Sequence, residues 1–311
     1  MVSEHEGWAI RKAAFDELSR LVAHHGPALP WQVIAQGFQH ANEPFHFASK
    51  AVGIFKPQRM PGTTALSVKT VIPRKGRSAR YDDLASDDGF IYRLQGDDAA
   101  SRDNLLLLNA QRTATPIIYF YGLAPSVYQP IWPVFVTDFD PVNLCCRLVA
   151  DDAEAVQEPG TFVADALMQR IQRRYVTVEA KRRVHQQAFR VQVLDAYAKR
   201  CAICRFPRTE LLDAAHILPD RDVRGEPEVP NGLALCRLHH GAFDQDFLGI
   251  RPDGVIEISP ELLAERDGPT LEHGLKSFHG KLIHLPAREA ARPNRVYLEE
   301  RYEHFRAVAG N

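Results

Sequence analysis

Two short pairs of residues in the C-terminal half have the types and the spacing of metal ligands. Cys201 and Cys204 form a C-x-x-C pair, and Cys236 and His239 form a C-x-x-H pair farther along the chain. Each pair sits on one turn, so its geometry is nearly preset, and a tetrahedral zinc ion closes the loop between the two turns. We therefore expect a closed, structural Cys3His zinc site. A redox-active C-x-x-C would not require the second pair.

Three further polar residues in the same stretch are not needed as zinc ligands. They are His216 in "AAHILP", Asn231 in "NGLAL" and His240 in "CRLHHGAFD". With these residues, the segment from about 170 to about 255 resembles the HNH endonucleases, which have the ββα-metal fold. The resemblance predicts hydrolysis of phosphodiester bonds in DNA.

The resemblance implies a role for each of the three residues. His216 matches the general base of the family, and an imidazole titrates close to neutral pH, so it can take a proton from water. Asn231 matches the asparagine that holds this imidazole, or its turn, in position. His240 matches a ligand of the catalytic divalent cation, Mg2+ or another, which stabilises the transition state and the departing oxygen.

The sequence departs from a common pattern of the family at the second ligand of this cation. Many members have an acidic residue directly before the first histidine, where this chain has Ala215. Because side chains alternate along a strand, Asp213 lies on the same face as position 215 and is a candidate substitute. Asp244 is a weaker candidate. Asp213 could instead belong to a turn or the surface, and the cation could be held mostly by water and phosphate.

The charge of the chain is distributed unevenly, although the net charge is only −1. Residues 170–208 contain eleven basic residues against two acidic ones, Glu179 and Asp195. Such an excess suits the DNA backbone, but a solvated helix face has the same composition. The basic residues are Arg170, Arg173, Arg174, Lys181, Arg182, Arg183, Arg190, Lys199, Arg200, Arg205 and Arg208.

The elements that must position these residues follow from hydrophobic patterning. Residues 7–25 have the apolar stripe of an amphipathic helix, and residues 45–150 contain the short runs typical of a mainly β domain, a curved sheet or barrel. The stretch "DDAEAVQEPGTF" has the composition of a linker. Residues 162–199 are helical in character. We therefore expect an α+β fold.

One stretch of the mainly β region, "RYDDLASDDGFIYRLQG", has a second resemblance. It is similar to the SRA domain, a PUA-like β-barrel that flips a modified cytosine out of duplex DNA. Asp83 and Tyr92 keep the family's separation of nine positions, whereas the family's "YTG" reads "YRLQG" here. The resemblance implies that Tyr81 and Tyr92 sandwich the base while Asp83 accepts a hydrogen bond from the cytosine amino group. Alternatively, both tyrosines pack inside a barrel and the aspartates form a turn.

Composition indicates an ordinary soluble protein, with 45% apolar and 25% charged residues. The cysteine count is odd, which favours metal binding over a set of disulfide bonds. The N-terminus lacks the layout of a signal peptide, which favours a cytoplasmic location. No apolar run reaches the roughly 18 residues of a membrane span. Cys145 and Cys146 are interpreted as small buried residues of a strand.

Together the two resemblances predict a modification-dependent restriction endonuclease. The expected parts are an SRA-like reader at 1–155, a basic helical linker at 156–199, and an HNH nuclease domain with a C-terminal extension at 200–311. The expected partner is double-stranded DNA carrying 5-methylcytosine or 5-hydroxymethylcytosine, cut by a homodimer because each chain has one active site. The alternatives are an HNH nuclease that does not read modified bases and a non-catalytic, zinc-stabilised DNA-binding protein.

Overall fold

Helices and β-sheets both contribute to the fold, which confirms the α+β prediction. A computed structural model describes residues 2–70, 89–151, 166–219, 222, 224–266 and 268–310. The chain divides into two compact units, Met1–Gln187 and Ala188–Asn311. No helix within the described ranges has the length and apolarity to cross a membrane.

The first unit is built on a curled sheet of seven strands. Its elements are α1 (Val2–His25), β1 (Leu29–Pro30), α2 (Trp31–Ile34), β2 (Phe38–His40), β3 (Glu43–Phe45), β4 (Ile54–Phe55), β5 (Ser67–Lys69), β6 (Phe90–Arg93), α3 (Arg102–Arg112), β7 (Ile117–Ala124), β8 (Val127–Asp140) and β9 (Cys145–Ala150). The strand order is β4-β5-β7-β8-β9-β6, with β1 paired to β8. Strands β5 and β7 are parallel, and the other pairs of this sheet are antiparallel.

Curling brings an edge strand back towards the middle of this sheet. Phe90 of β6 contacts Tyr119 of β7 with 5.5 Å between the ring centroids, although β8 and β9 lie between these strands in the sheet order. On the opposite face, Ile118 and Phe120 pack in one core with the apolar stripe of α1. The amphipathic helix that the sequence predicts therefore covers one face, and aromatic rings line the other.

One helix in the first unit was missed by the mainly β prediction for residues 45–150. The helix α3 contains four consecutive leucines, and such a run shows no period that distinguishes a helix from a buried strand. Its buried Asn104 bonds the main chain of Gln95 through both its amide oxygen and its amide nitrogen, at 2.9 Å each. This tertiary bond cannot be read from the pattern of leucines.

A long helix, α4 (Ala166–Ala196), begins in the first unit and ends in the second. Sequence patterning placed a linker at 156–199, whereas the compact units divide between Gln187 and Ala188, inside this helix. Of the linker-like stretch that starts at Asp151, all residues after Asp151 lie outside the described ranges.

The second unit contains a β-hairpin followed directly by a helix. After a 3-10 turn (Thr209–Leu211), strands β10 (Leu212–His216) and β11 (Gly232–Cys236) pair antiparallel, and α5 (Arg237–Asp244) follows. The remaining elements are β12 (Leu248–Ile250), β13 (Ile256–Ile258), α6 (Pro260–Ala264), α7 (Pro269–Gly274), α8 (Arg295–Ala309) and 3-10 turns at Val229–Asn231, Lys276–Phe278 and Glu289–Ala291. The order β10, β11, α5 is a ββα unit.

The C-terminal helix α8 belongs to the core of the second unit. Leu298 and Phe305 are buried, and Gly249 of β12 lies so close to the Phe305 ring that a Cβ at this position would overlap it. Asn294 caps the helix by accepting a hydrogen bond from the Val296 N–H at 2.9 Å. Leu298 of α8 shares its core with Leu212 and Leu233 of the β10–β11 hairpin.

Candidate active site

The four predicted zinc ligands lie together in the second unit. Cys201 and Cys204 are on the turn after α4, Cys236 ends β11, and His239 lies in the first turn of α5. Their donor atoms are all within 4.8 Å of one another. In the described part of the chain, this is the only group of three or more such side chains found so close together.

The distances within this cluster fit a tetrahedral ion. The Cys204 and Cys236 sulfurs are 3.9 Å apart, and Nδ1 of His239 is 3.6 Å from the Cys201 sulfur and 3.1 Å from the Cys236 sulfur. Tetrahedral zinc, with bonds of about 2.3 Å to sulfur and about 2.0 Å to nitrogen, sets these separations at roughly 3.8 and 3.5 Å. Hydrogen bonds from the Cys204 and Cys236 thiols hold the pKa of the Cys201 thiol well below its usual value, which favours the thiolate that a metal binds.

His216 ends β10 and is held by contacts from α4. It is paired in register with Gly232, and its half-buried ring stacks on Phe189 at 4.1 Å with an interplanar angle of 21°. A Cβ on Gly232 would lie 2.9 Å from the Phe189 ring and even closer to Val193. The glycine therefore allows α4 to approach the hairpin closely enough to support the His216 ring.

Asn231 fixes the loop that follows His216. Its side chain is 1% exposed, its oxygen accepts a hydrogen bond from the Leu218 N–H at 2.9 Å, and its nitrogen donates to the carbonyl oxygens of Leu218 and Glu226 at 3.1 and 3.2 Å. All three bonds reach the loop and not the imidazole. Asn231 thus acts on the turn, one of the two arrangements that the sequence left open.

His240 lies between two carboxylates. Its Nε2 is 3.2 Å from Asp244, one helical turn farther along α5, and its Nδ1 is 3.8 Å from Asp213 on β10. Asp213 also faces Arg190, whose Nε is 3.4 Å from the carboxylate and whose Nη2 donates to the carbonyl oxygens of Thr209 and Leu212. The two candidates for the second metal ligand therefore differ in their surroundings, because the Asp213 carboxylate already faces the positively charged guanidinium of Arg190.

A cleft of about 560 Å³ brings His216 and His240 to one surface. Asp244 lines it as well, whereas Asp213 does not. Asp246 and the lining residues of α8 were not predicted from the sequence. The residues lining this cleft are His216, Ile217, Leu218, Pro219, Asp222, His240, Asp244, Asp246, Glu300, Arg301 and His304.

Of the predicted base-binding residues, Tyr92 alone falls within the described ranges, and Tyr81 and Asp83 lie outside them. The Tyr92 ring is 5% exposed and meets Tyr119 edge-on, with 6.3 Å between the ring centroids. Burial raises the pKa of its hydroxyl, and a Cβ on Gly53 would lie 2.7 Å from that oxygen. A base can stack on Tyr92 only if the ring leaves this position.

Another polar group lies on the aromatic face of the curled sheet. Gln129 of β8 is paired in register with Tyr121 of β7, so the two side chains share a face with Tyr119. Gln129 is 6% exposed, and its buried Oε1 accepts no hydrogen bond from the described residues. Sequence reasoning missed Gln129, because nothing in "VYQPIW" marks it as different from a surface glutamine.

The basic stretch that includes α4 divides into internal and exposed residues. Arg173 bonds Asp151 at 2.7 Å, Lys181 is buried over the ring of Phe90, and Arg190 supports the loop before β10. The exposed side chains of α4 include Arg174, Tyr175, Arg182 and Arg183.

Comparison with known proteins assigns a family to one segment of the second unit. Residues 201–251 match the family model of the HNH endonucleases, and this match confirms the prediction of a DNA endonuclease. No curated protein matches the chain. Among solved structures, the chain is similar to the modification dependent TagI restriction endonuclease, with 16% sequence identity, a TM-score of 0.31, and coverage of 80% of this chain and 83% of that one. At this degree of similarity the comparison assigns no role to any residue.

Proposed function

From the HNH endonuclease domain at residues 201–251, we propose that this protein hydrolyses phosphodiester bonds in double-stranded DNA that carries 5-methylcytosine or 5-hydroxymethylcytosine. The cleft that holds His216, His240 and Asp244 together is the observation that carries the catalytic half of the proposal. It combines an imidazole for proton transfer with an imidazole and a carboxylate for a cation, and phosphodiester hydrolysis needs both.

His216 is the general base in this proposal. Of its two ring nitrogens, Nε2 is buried, so Nδ1 is the one that takes the proton from the attacking water. The stacking on Phe189 and the loop bonds made by Asn231 limit the movement of the ring. A base held in one orientation costs less entropy at the transition state than one that must first be oriented.

His240 and Asp244 are the proposed ligands of the catalytic divalent cation, Mg2+ or another. They are four residues apart on α5, so both side chains project from one side of the helix. A divalent ion held there stabilises the charge on the phosphate and on the departing 3′ oxygen. Asp213, the candidate favoured from strand alternation, faces the Arg190 guanidinium, which disfavours a second cation beside it.

The exchange Asp244→Asn tests this choice of ligand, with Asp213→Asn as the matched control. We expect the Mn2+ concentration for half-maximal cleavage to rise at least about tenfold for Asp244→Asn, because the amide loses the ligand charge. For Asp213→Asn we expect a change of less than about threefold. Metal titrations of the cleavage rate measure both values, and the opposite order would assign the cation to Asp213.

The Cys201, Cys204, Cys236 and His239 cluster is the proposed structural zinc site. Four protein ligands complete a tetrahedron and leave no position for a reacting water, in contrast to catalytic zinc sites. The cluster joins the end of α4 to β11 and α5. A zinc ion there would hold together the elements that carry His216 and His240.

The curled sheet of the first unit is the proposed reader. Aromatic faces replace the stacking that a flipped base loses, and a buried acceptor without a partner costs about 1–3 kcal/mol until a donor reaches it. The half-buried Tyr121 beside Gln129 offers both features. In this proposal the cytosine amino group donates a hydrogen bond to the Gln129 side-chain oxygen. The predicted residues Tyr81, Asp83 and Tyr92 complete the base site, and Tyr92 must move before it can stack on a base.

The exposed arginines of α4 are proposed to contact the DNA backbone, which makes the affinity strongly dependent on salt concentration. One active site per chain cuts one strand at a time. Cleavage of both strands is therefore assigned to a homodimer on the DNA.

Digestion of one plasmid in cytosine-methylated, hydroxymethylated and unmodified form tests the reader, with and without a chelator. We expect at least about tenfold faster cutting of a modified form, and no cutting with chelator. The variant Gln129→Met keeps the side-chain volume but removes the acceptor, so it should lose about tenfold of this preference while still cutting.

Two other results would each replace the proposal. Equal cutting of all three plasmids leaves an HNH nuclease without a modified-base reader. DNA binding without any cutting, at every divalent ion tried, leaves a zinc-stabilised binding protein.

A further inference from the structure

We propose that His304, on the C-terminal helix α8, protonates the departing 3′ oxygen during DNA cleavage, and that Asp246 holds its ring for this step. The inference rests on the proposed DNA-cleaving function of the His216 cleft. His304 lies outside residues 201–251, the segment that matches the HNH family model.

His304 lines the same cleft as His216 and His240. These are the three histidines of the lining, and two of them already have proposed roles: His216 as the general base, and His240 as a ligand, with Asp244, of the catalytic cation. The side chain of His304 is 64% exposed, so its imidazole is accessible to a DNA strand bound in the cleft.

Helix α8 is fixed at this place by two charged contacts. Arg301 bonds Asp246 and the carbonyl oxygen of Phe243, and its guanidinium lies over the Phe243 ring, 4.7 Å from the centroid. Glu300 accepts two hydrogen bonds from Arg224 at 2.8 and 2.9 Å. The first contact ties α8 to the end of α5, and the second ties it to the loop between β10 and β11.

Asp246 orients the ring of His304. The Asp246 side chain is 11% exposed; its Oδ1 contacts Arg301, and its Oδ2 is 3.4 Å from Nε2 of His304. A carboxylate that is itself held in place fixes the orientation of an imidazole that it contacts. With Nε2 directed at Asp246, Nδ1 is the nitrogen that donates to the substrate.

The proton balance of the reaction needs such a donor. When water attacks phosphorus, the bond from phosphorus to the 3′ oxygen breaks, and the electron pair of that bond leaves on the oxygen. His216 takes a proton from the water and His304 gives one to the 3′ oxygen, so the products are a 5′ phosphate and a 3′ hydroxyl. Both imidazoles then return to their starting states by exchange with solvent.

The variant His304→Ala tests this step on two DNA substrates that both carry the modified cytosine. One has the normal scissile 3′ oxygen, and the other has sulfur in its place. A thiolate leaves without prior protonation because its conjugate acid is much stronger than that of an alkoxide. Single-turnover rates with Mn2+ should fall about 100-fold for the oxygen substrate and less than about threefold for the sulfur substrate.

The matched control is His273→Ala, which removes an exposed histidine of the same unit that does not line the cleft. It should cut both substrates at the unaltered rate. An equal loss on both substrates for His304→Ala would make His304 a substrate-binding or structural residue, and no loss on either would also overturn the inference. If the unaltered protein cuts neither substrate, the proposed function itself is wrong.

Discussion

Replacement of His216 by alanine should lower the rate of DNA cleavage by about 10²–10⁴-fold, the usual contribution of a general base. The affinity for DNA should change little, because the exposed arginines that are proposed to contact the backbone lie on α4 and not on β10. Single-turnover cleavage of a modified plasmid and DNA binding in the presence of Ca2+ measure the two quantities separately.

The His216 result is interpretable only if the hairpin stays folded. Its ring stacks on Phe189, and removing a half-buried ring leaves a gap beside α4. The variant His216→Gln fills more of this space but lacks the basic nitrogen, so it should be as inactive as the alanine variant. Its melting temperature should be closer to that of the unaltered protein. Cleavage within tenfold of the unaltered rate by both variants would show that another group takes the proton.

Replacement of Cys201 by serine should release the zinc ion and unfold the second unit. Cys201 is completely buried in the core that also contains Val193 and Leu233. Structural zinc contributes about 10–16 kcal/mol in small domains, which is comparable to the whole stability of a domain of about 5–15 kcal/mol. Metal analysis of the purified protein and thermal unfolding followed by circular dichroism measure the loss.

The matched control for this prediction is Cys145→Ser. Cys145 is a half-buried thiol on β9 in the first unit, outside the metal cluster. This variant should keep one zinc ion per chain and cut DNA at the unaltered rate. A Cys201→Ser protein that melts and cuts like the control, with no zinc bound, would show that the cluster is not a structural metal site.

Several features of the fold and site could be predicted because they depend on neighbours in sequence. The C-x-x-C and C-x-x-H pairs each lie on one turn, so their spacing nearly fixes their geometry, and the four donor atoms are found together. The apolar stripe of residues 7–25 identified α1 for the same reason, since the helical period is local.

Other features depend on contacts between distant parts of the chain. The proposal of Asp244 over Asp213 as the second ligand of the catalytic cation depends on Arg190, which comes from α4 and lies beside Asp213. The burial of Tyr92 follows from the curling of the sheet, which brings β6 against β7. Strand alternation alone shows which side of a strand a residue is on, but not what covers that side.

By itself, the sequence predicted the Cys and His cluster, whose donor atoms the structure brings together, and the HNH endonuclease domain, because both depend on residue types at short spacings. The tertiary structure decided what surrounds them. It brings Arg301 and His304 of α8 into the cleft of His216, from which they are 85 and 88 positions away in the sequence. It also leaves the buried Gln129 oxygen without a partner from the described residues. The physical reason is that packing and burial depend on contacts between distant segments, and no local pattern specifies which segments meet.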